Sequence, residues 1–313
     1  MRRLMSSFGV AGTLAFVIAV TASASLVARQ GGAALEESIP AGENFDKADF
    51  KLWLPDGQGA IKAILVLVPG SNGDGRPMAD DPVWQAFATK HRLALVACRI
   101  TDKPHDQNFI EHYVNVSHGS GQALLDALAA MARRTTHPEL ATAPFLMWGM
   151  SAGGQFNYEF VAWRPERVAA FVVNKGGIYY SALLSPPARS VPGLLFIGGK
   201  DLEFRNDTIS GLFAVNRRAG ALWALAEEPG VAHVVGRSRE LAMMFYEDVL
   251  PLRLGSASAS LQPMIEKSGL LGDLKAHTAR PLDESGTPNY PTAWLPTARV
   301  ARAWEAMATE KPF

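Results

Sequence analysis

Short, almost continuous apolar runs alternate with amphipathic stretches between residues 62 and 250. The apolar runs occupy residues 63–68, 93–97, 145–148, 168–173 and 194–197. Strands that helices cover on both faces have this composition, and parallel strands need such crossover helices between them. The pattern therefore predicts an α/β domain with a mostly parallel central sheet flanked by helices.

Apolar residues at helical spacing predict the helices between these strands. Residues 121–132 carry leucines and a methionine on one face, and residues 156–163 repeat this spacing until Pro165 stops it. Residues 49–54 predict an antiparallel edge strand, and residues 221–225 predict another strand. After Leu254 the composition changes to Ser, Ala, Gly and Pro. Residues 29–254 are therefore interpreted as one domain, and residues 255–313 as a C-terminal extension that packs on it.

The N-terminal residues have the three-part layout of a secretory signal peptide. Arg2 and Arg3 precede an apolar stretch over residues 8–20, and the small residues Ala22, Ser23 and Ala24 follow. This layout predicts that residues 1–28 are removed and that the protein is exported, either to the periplasm or out of the cell. After cleavage no stable membrane span is expected; an uncleaved N-terminal membrane anchor is the alternative.

Charge and cysteine content narrow the classes of partner. The chain has 30 basic and 30 acidic residues among 313, and it contains no run of basic residues that would follow a phosphate backbone. A nucleic-acid partner is therefore not expected. Cys98 is the single cysteine, so no intrachain disulfide can form. It lies in an apolar run and is interpreted as a core residue.

One serine has the surroundings of a nucleophile. The sequence Gly149-Met150-Ser151-Ala152-Gly153 directly follows the predicted strand at 145–148 and precedes a predicted helix. This strand–turn–helix context holds a serine hydroxyl exposed on a sharp turn, and small flanking residues give the turn room. Ser151 is therefore predicted to attack a carbonyl carbon.

This turn resembles that of α/β hydrolases, and the resemblance implies an acid and a histidine that follow the serine in the chain, each on a loop after a later strand. Asp201 comes just after the strand at 194–197, and Glu203 is the reserve for the acid. Only His233 and His277 follow Asp201. His233 is preferred as the base because it lies between a predicted strand and a predicted helix, whereas His277 lies in the polar C-terminal extension.

Acyl transfer also needs backbone N–H groups that stabilise the oxyanion. Ala152, next to the predicted nucleophile, is expected to supply one of them. Ser71 in the loop 69–73 is expected to supply the other, with Asn72 as the alternative. This loop lacks the spacing of a nucleotide-binding motif, and the histidines before Ser151 lack metal-ligand spacing. Neither a cofactor nor a metal is expected.

Together these segments resemble the α/β-hydrolase superfamily, over about residues 49–254. The residues that carry the likeness are Val68-Pro69-Gly70-Ser71-Asn72-Gly73, Gly149 to Gly154 with Pro165-Glu166-Arg167-Val168, Gly199-Lys200-Asp201, and His233. Within the superfamily the chain looks most similar to secreted esterases of the dienelactone hydrolase, polyhydroxybutyrate depolymerase and feruloyl esterase kind. The resemblance implies that Ser151 is the nucleophile, that His233 is the general base and then the acid, and that Asp201 orients His233.

The chain departs from that pattern in two places. Many such esterases have His-Gly before the oxyanion donor, where this chain has Pro69-Gly70. The segment between the strands at 168–173 and 194–197 is too short for a large cap domain, which favours an esterase with an accessible cleft. Tyr179 and Tyr180 in that segment, and Phe109 in the loop 101–113, are candidates for lining the cleft.

The predicted function is hydrolysis of a carboxylic ester, small or polymeric, through an acyl-enzyme on Ser151. One alternative is a peptidase or thioesterase that uses the same triad, because the chemistry of attack is shared. The other is an exported binding protein that keeps the fold without turnover.

Overall fold

The computed structural model describes residues 33–255, 261–282 and 292–313. The predicted signal peptide lies outside the described residues. Eight strands form one large sheet, and three short strands near the C-terminus form a second. The strands of the large sheet are β1 (Ala33–Ile39), β2 (Lys47–Leu54), β3 (Ala63–Val68), β4 (Leu93–Thr101), β5 (Phe145–Gly149), β6 (Val168–Asn174), β7 (Gly193–Gly198) and β8 (Trp223–Glu228).

The large sheet has the strand order β1-β2-β4-β3-β5-β6-β7-β8. β1 pairs antiparallel with β2, and β2 pairs antiparallel with β4, whereas the pairs from β4 to β8 are all parallel. This mostly parallel sheet with an antiparallel start is the arrangement of the α/β-hydrolase fold, and it confirms the predicted fold class. The carboxyl ends of the parallel strands lie at one edge of the sheet, where ligand-facing residues collect in open α/β sheets.

Helices cover both faces of this sheet. The helices are α1 (Pro82–His91), α2 (Ser120–Arg134), α3 (Ala152–Trp163), α4 (Pro186–Arg189), α5 (Glu203–Arg218), α6 (Ser238–Leu254) and α7 (Ala298–Ala308). The apolar faces of α2, α3 and α5 pack into one core, and those of α1, α6 and α7 pack into the other. Alternate residues of β3 serve the two cores, which is why all six residues of that strand are buried and apolar.

The start of the sheet differs from the sequence-based expectation. The predicted edge strand is longer and is β2, and β1 pairs along its outer side, so β2 is not at the edge. β1 carries Glu36, Glu37 and Ser38 among its apolar residues, and this polar composition gives little sign of a strand. Such a composition suits an edge strand because charged side chains discourage pairing with other chains.

The C-terminal residues also contain structure that the sequence did not predict. β9 (Leu270–Asp273), β10 (Thr278–Pro281) and β11 (Ala293–Leu295) form the second sheet, in the order β10-β9-β11. These strands have three or four residues each, too few to show a periodic pattern. β11 and α7 contribute to the same core as α6, and the Trp304 indole N–H donates to the Leu225 carbonyl at 2.7 Å.

Between β6 and β7, residues 175–192 contain the single short helix α4, so no large cap domain is inserted there. Within the described parts of the chain, we find no helix of the length and apolarity that crossing a membrane requires.

Candidate active site

Ser151 lies on the sharp turn between β5 and α3. Its backbone has φ 56° and ψ −125°, a region that residues other than glycine rarely occupy. The Ser151 N–H donates to the Asn174 carbonyl at the end of β6, at 2.8 Å. This strained turn lies at the carboxyl edge of the sheet, as a strand–serine–helix turn requires.

Two glycines make this turn sterically allowed. A Cβ on Gly149 would lie 2.2 Å from the Gly153 carbonyl oxygen, and a Cβ on Gly153 would lie 2.2 Å from the Val68 carbonyl oxygen. Both contacts are with backbone atoms, which cannot move aside cheaply. The backbones of β3, the turn and the start of α3 therefore approach closely because these positions carry no side chain.

The structure brings Ser151, His233 and Asp201 into one hydrogen-bonded chain. The Ser151 Oγ lies 2.9 Å from His233 Nε2, and His233 Nδ1 lies 2.7 Å from Asp201 Oδ2. His233 stands on the loop 229–237 between β8 and α6, and Asp201 follows β7. Three separate loops at the same edge of the sheet thus bring a serine hydroxyl, an imidazole and a carboxylate within hydrogen-bonding distance of one another.

The Asp201 carboxylate is buried, with 1% of its side chain exposed. Burial alone would raise its pKa, but hydrogen bonds from His233, the Leu202 N–H and the Arg205 guanidinium outweigh that effect. The net pKa of Asp201 is therefore lowered from its ordinary value of 3.8. The carboxylate stays ionised and accepts the His233 hydrogen bond on Oδ2, while Oδ1 accepts from Leu202 and Arg205 at 2.7 and 3.0 Å.

The loop after β3 lies beside Ser151, because a Cβ on Gly70 would be 3.6 Å from the Ser151 Cβ. Among the described residues, neither the Ser71 N–H nor the Ala152 N–H has a hydrogen-bond acceptor within the protein. Ser71 as the second oxyanion donor, with Asn72 as the alternative, stays a prediction.

The two tyrosines predicted to line the cleft occupy different environments. The Tyr179 ring packs edge-on against Tyr158, with ring centroids 5.0 Å apart, and its hydroxyl is buried without a partner among the described residues. Tyr180 is 46% exposed, and its hydroxyl donates to the Glu111 carbonyl at 3.3 Å. Tyr179 therefore supports the loop from beneath, whereas Tyr180 presents its ring to solvent.

Exposed apolar side chains occur directly beside Asp201 and His233. Phe204 follows Asp201 closely and meets the Phe109 ring at 5.8 Å, and both rings contact the Arg205 guanidinium. Val234, next to His233, is 57% exposed. Sequence reasoning singled out Phe109 but missed Phe204, Arg205 and Val234. The available signal was their position within four residues of Asp201 and His233 in the chain.

Neither Glu203, the reserve for the acid, nor His277, the less favoured histidine, takes part in this chain of hydrogen bonds. Glu203 is exposed at the start of α5, and His277 packs near Trp304 between β9 and β10. Cys98 is buried, and burial raises the pKa of its thiol to about 12. Within residues 33–255, 261–282 and 292–313, no cluster of three or more His, Cys, Asp or Glu side chains could hold a metal ion.

Comparisons with known proteins give similarities of fold alone. No protein-family model matches the chain, and no curated protein matches it. Three of the similar solved structures are a candidate dienelactone hydrolase from Klebsiella pneumoniae subsp. pneumoniae, a poly(aspartic acid) hydrolase-1 from Sphingomonas sp. KT-1, and a thermostable esterase.

The Klebsiella protein is 21% identical, with 66% of this chain and 89% of that chain covered and a TM-score of 0.46. The Sphingomonas protein is 15% identical, with 66% and 98% covered and a TM-score of 0.43. The thermostable esterase is 14% identical, with 62% and 54% covered and a TM-score of 0.48.

Proposed function

We propose that this protein is a serine hydrolase that cleaves a carboxylic ester through an acyl-enzyme on Ser151. The observation that carries the proposal is the continuous chain of hydrogen bonds from the Ser151 hydroxyl through His233 to Asp201, at 2.9 and 2.7 Å. A strained turn holds the hydroxyl at the edge of the sheet where this fold places its ligands.

The first half of the reaction forms the acyl-enzyme. His233 Nε2 takes the hydroxyl proton while the Ser151 Oγ attacks the ester carbonyl carbon, which gives a tetrahedral oxyanion. The C–O bond to the alcohol then breaks, and the proton on His233 passes to the leaving oxygen. In the second half a water molecule gives a proton to His233 while its oxygen attacks the acyl carbon. The acyl C–Oγ bond then breaks, the proton on His233 passes to the Ser151 Oγ, and the carboxylic acid leaves.

Asp201 and the two backbone donors stabilise the charges that develop. The Asp201 carboxylate accepts the His233 Nδ1–H bond, which fixes the tautomer with Nε2 free to take a proton and stabilises the imidazolium that forms. The unpaired N–H groups of Ala152 and Ser71 are the donors for the oxyanion. One such donor typically contributes about 10²–10³-fold to the rate.

The substrate is proposed to be a small-molecule or polymeric ester with an apolar group. The exposed side chains beside the catalytic loops support this, namely Phe109, Leu202, Phe204, Val234 and Val235. Export remains part of the proposal, with residues 1–28 as the signal peptide, or as an N-terminal anchor if they are not cleaved. N-terminal sequencing of the mature protein distinguishes these two fates.

The direct test is turnover of short p-nitrophenyl esters by the purified protein. The wild-type protein should hydrolyse p-nitrophenyl acetate or butyrate, and Ser151→Ala should lower kcat at least ~10⁴-fold because the nucleophile is lost. Ser190→Ala, at an exposed serine, is the matched control and should keep the wild-type rate. Equal rates for wild type and Ser151→Ala contradict the proposal, and faster cleavage of acyl thioesters or peptides than of esters reassigns the substrate class.

A further inference from the structure

A buried ion pair lies directly behind the proposed catalytic residues. Lys175 follows the last residue of β6, and Glu228 is the last residue of β8. The Lys175 ammonium contacts the Glu228 carboxylate, with 0% and 3% of the two side chains exposed. The hydrolytic mechanism proposed above does not use either residue.

The Glu228 end of this pair holds the loop that carries His233. Its Oε1 accepts the Arg237 N–H at 2.6 Å, and Arg237 is the last residue of that loop. A Cβ on Gly236 would lie 2.4 Å from the same Oε1, so the loop backbone packs tightly against the carboxylate. Glu228 directly precedes the loop, so its side chain joins the end of β8 to the end of the loop.

The Lys175 end of the pair joins this loop to the nucleophile. The Lys175 Nζ donates to Asn174 Oδ1 at 3.1 Å, and the Asn174 carbonyl accepts the Ser151 N–H at 2.8 Å. The Asn174 Nδ2 donates to the Ser238 Oγ at 2.7 Å, and that hydroxyl donates to the Val235 carbonyl at 2.5 Å. Two hydrogen-bonded paths therefore run from the serine turn to the histidine loop.

The location of the pair is unfavourable for stability alone. Buried ion pairs often stabilise a fold no better than apolar side chains of the same volume, because both charges lose their hydration. Burial lowers the pKa of the Lys175 ammonium, and Glu228 and the nearby Asp201 offset only part of this effect. Lys175 also has φ +54°, a strained value for a residue with a side chain. Strain and desolvation concentrated beside a reactive site indicate a functional constraint.

We propose that Lys175 and Glu228 are positioning residues that hold the His233 loop in register with Ser151. This proposal rests on the proposed function. The pair touches neither the substrate nor the reacting atoms. It fixes the backbone of the Ser151 turn and that of the His233 loop, and the proton moves between the side chains of Ser151 and His233. The Ser151–His233 distance must stay near 2.9 Å for that transfer, and small displacements lower the rate steeply.

Two double variants separate the positioning role from a merely structural one. Lys175→Met/Glu228→Met removes both charges and should fold, because the replacements are apolar and similar in length. It leaves the Arg237 N–H without its acceptor, so kcat on p-nitrophenyl butyrate should fall at least ~10-fold with KM within ~3-fold of wild type. Lys175→Met/Glu228→Gln keeps an amide oxygen for that N–H but not the Lys175 bond to Asn174, so its kcat should lie between those of Met/Met and wild type.

Glu266→Gln is the matched control. It neutralises a carboxylate that faces another buried cation, Arg217, far from the catalytic loops, and should leave kcat unchanged. Thermal unfolding of every variant separates loss of structure from loss of rate. If the Met/Met variant does not fold, Ser238→Ala breaks the second path with a small change, and a kcat reduced ~3–10-fold at unchanged KM is expected.

If the Lys175→Met/Glu228→Met enzyme keeps the wild-type kcat, the positioning role is overturned and the proposed function stays intact. The same holds for Ser238→Ala where the double variant does not fold. A Met/Gln variant no faster than Met/Met also overturns it, because the amide oxygen should restore the contact. A wild-type protein that hydrolyses no ester overturns the proposed function, and the positioning role with it.

Discussion

The middle of the large sheet and its carboxyl edge follow opposite rules. In the middle, β3 and β6 are built from buried side chains that are apolar except for the final Asn174, in extended backbone. At the edge, polar Asn174 and charged Lys175 and Glu228 are fully or almost fully buried. Ser151 and Lys175 also have positive φ there.

This difference shows that the residues at the carboxyl edge are less favourable for stability than those in the middle of the sheet. The middle of the sheet satisfies hydrophobic patterning and backbone preference at once, which is the condition for a stable fold. At the carboxyl edge, close to the Ser151 hydroxyl, neither condition holds: polar and charged side chains are buried, and Ser151 and Lys175 have positive φ. Residues with unfavourable burial or backbone strain that the fold does not require are expected to have a function.

After the loss of Ser151 itself, the largest effect at the edge is expected from Asp201→Asn. The amide can donate to His233 Nδ1, which favours the tautomer whose Nε2 cannot accept the Ser151 proton, so kcat should fall about 10³–10⁴-fold. Steady-state hydrolysis of p-nitrophenyl butyrate measures this loss. Glu203→Gln, two residues away and exposed, is the control and should keep kcat within about twofold. A larger loss in Glu203→Gln than in Asp201→Asn would reassign the acid.

A glycine pair tests the steric side of the comparison. Gly153→Ala forces a Cβ to within 2.2 Å of the Val68 carbonyl oxygen and should destabilise the protein by about 3 kcal/mol. Gly211→Ala lies within α5 with open space around its Cβ, and should stabilise the protein by about 0.5–1 kcal/mol through helix propensity. Urea unfolding of both variants gives the two free energies of unfolding. Destabilisation of similar size in both would show that the serine turn is not sterically constrained.

Two carboxylates extend the comparison to pH. Burial raises the pKa of Glu159, which accepts hydrogen bonds from Tyr180 and Ser181, so its ionisation lowers stability as pH rises above 4.5. The charge pairs of Glu247 with Lys90 and Arg299 lower its pKa to about 2, so it contributes stability that is lost as pH falls from 4.5 towards 2.

Glu159→Gln keeps an acceptor oxygen and removes the buried charge, so at pH 7 it should leave the free energy of unfolding unchanged or raise it by up to about 1 kcal/mol. Glu247→Gln, on the helix surface, should lower the free energy of unfolding slightly at pH 7. Unfolding curves measured from pH 3 to pH 7 show whether each carboxylate lowers or raises the free energy of unfolding as pH rises. The difference in free energy of unfolding between Glu159→Gln and wild type should favour the variant more at pH 7 than at pH 4. The opposite trend contradicts the raised pKa of Glu159.

The sequence was sufficient for the parallel strands and for placing Ser151, Asp201 and His233 on three loops, because apolar runs and chain order carry that information. It was insufficient for β1, whose polar composition hides it, and for the short strands β9 to β11. It also missed the Lys175–Glu228 pair. Those residues are 53 positions apart in the chain, and nothing near either one shows that they meet in a buried site.

The most direct test of the central claim is mass spectrometry of the protein after reaction with a fluorophosphonate ester. The wild-type protein should gain one phosphonyl group, located on the peptide that contains Ser151, at a rate that falls at least ~10²-fold in His233→Ala because the base is lost. Unfolded protein should not react, because the geometry no longer exists. Labelling of another residue, or no labelling of the folded wild-type protein, would contradict Ser151 as the nucleophile.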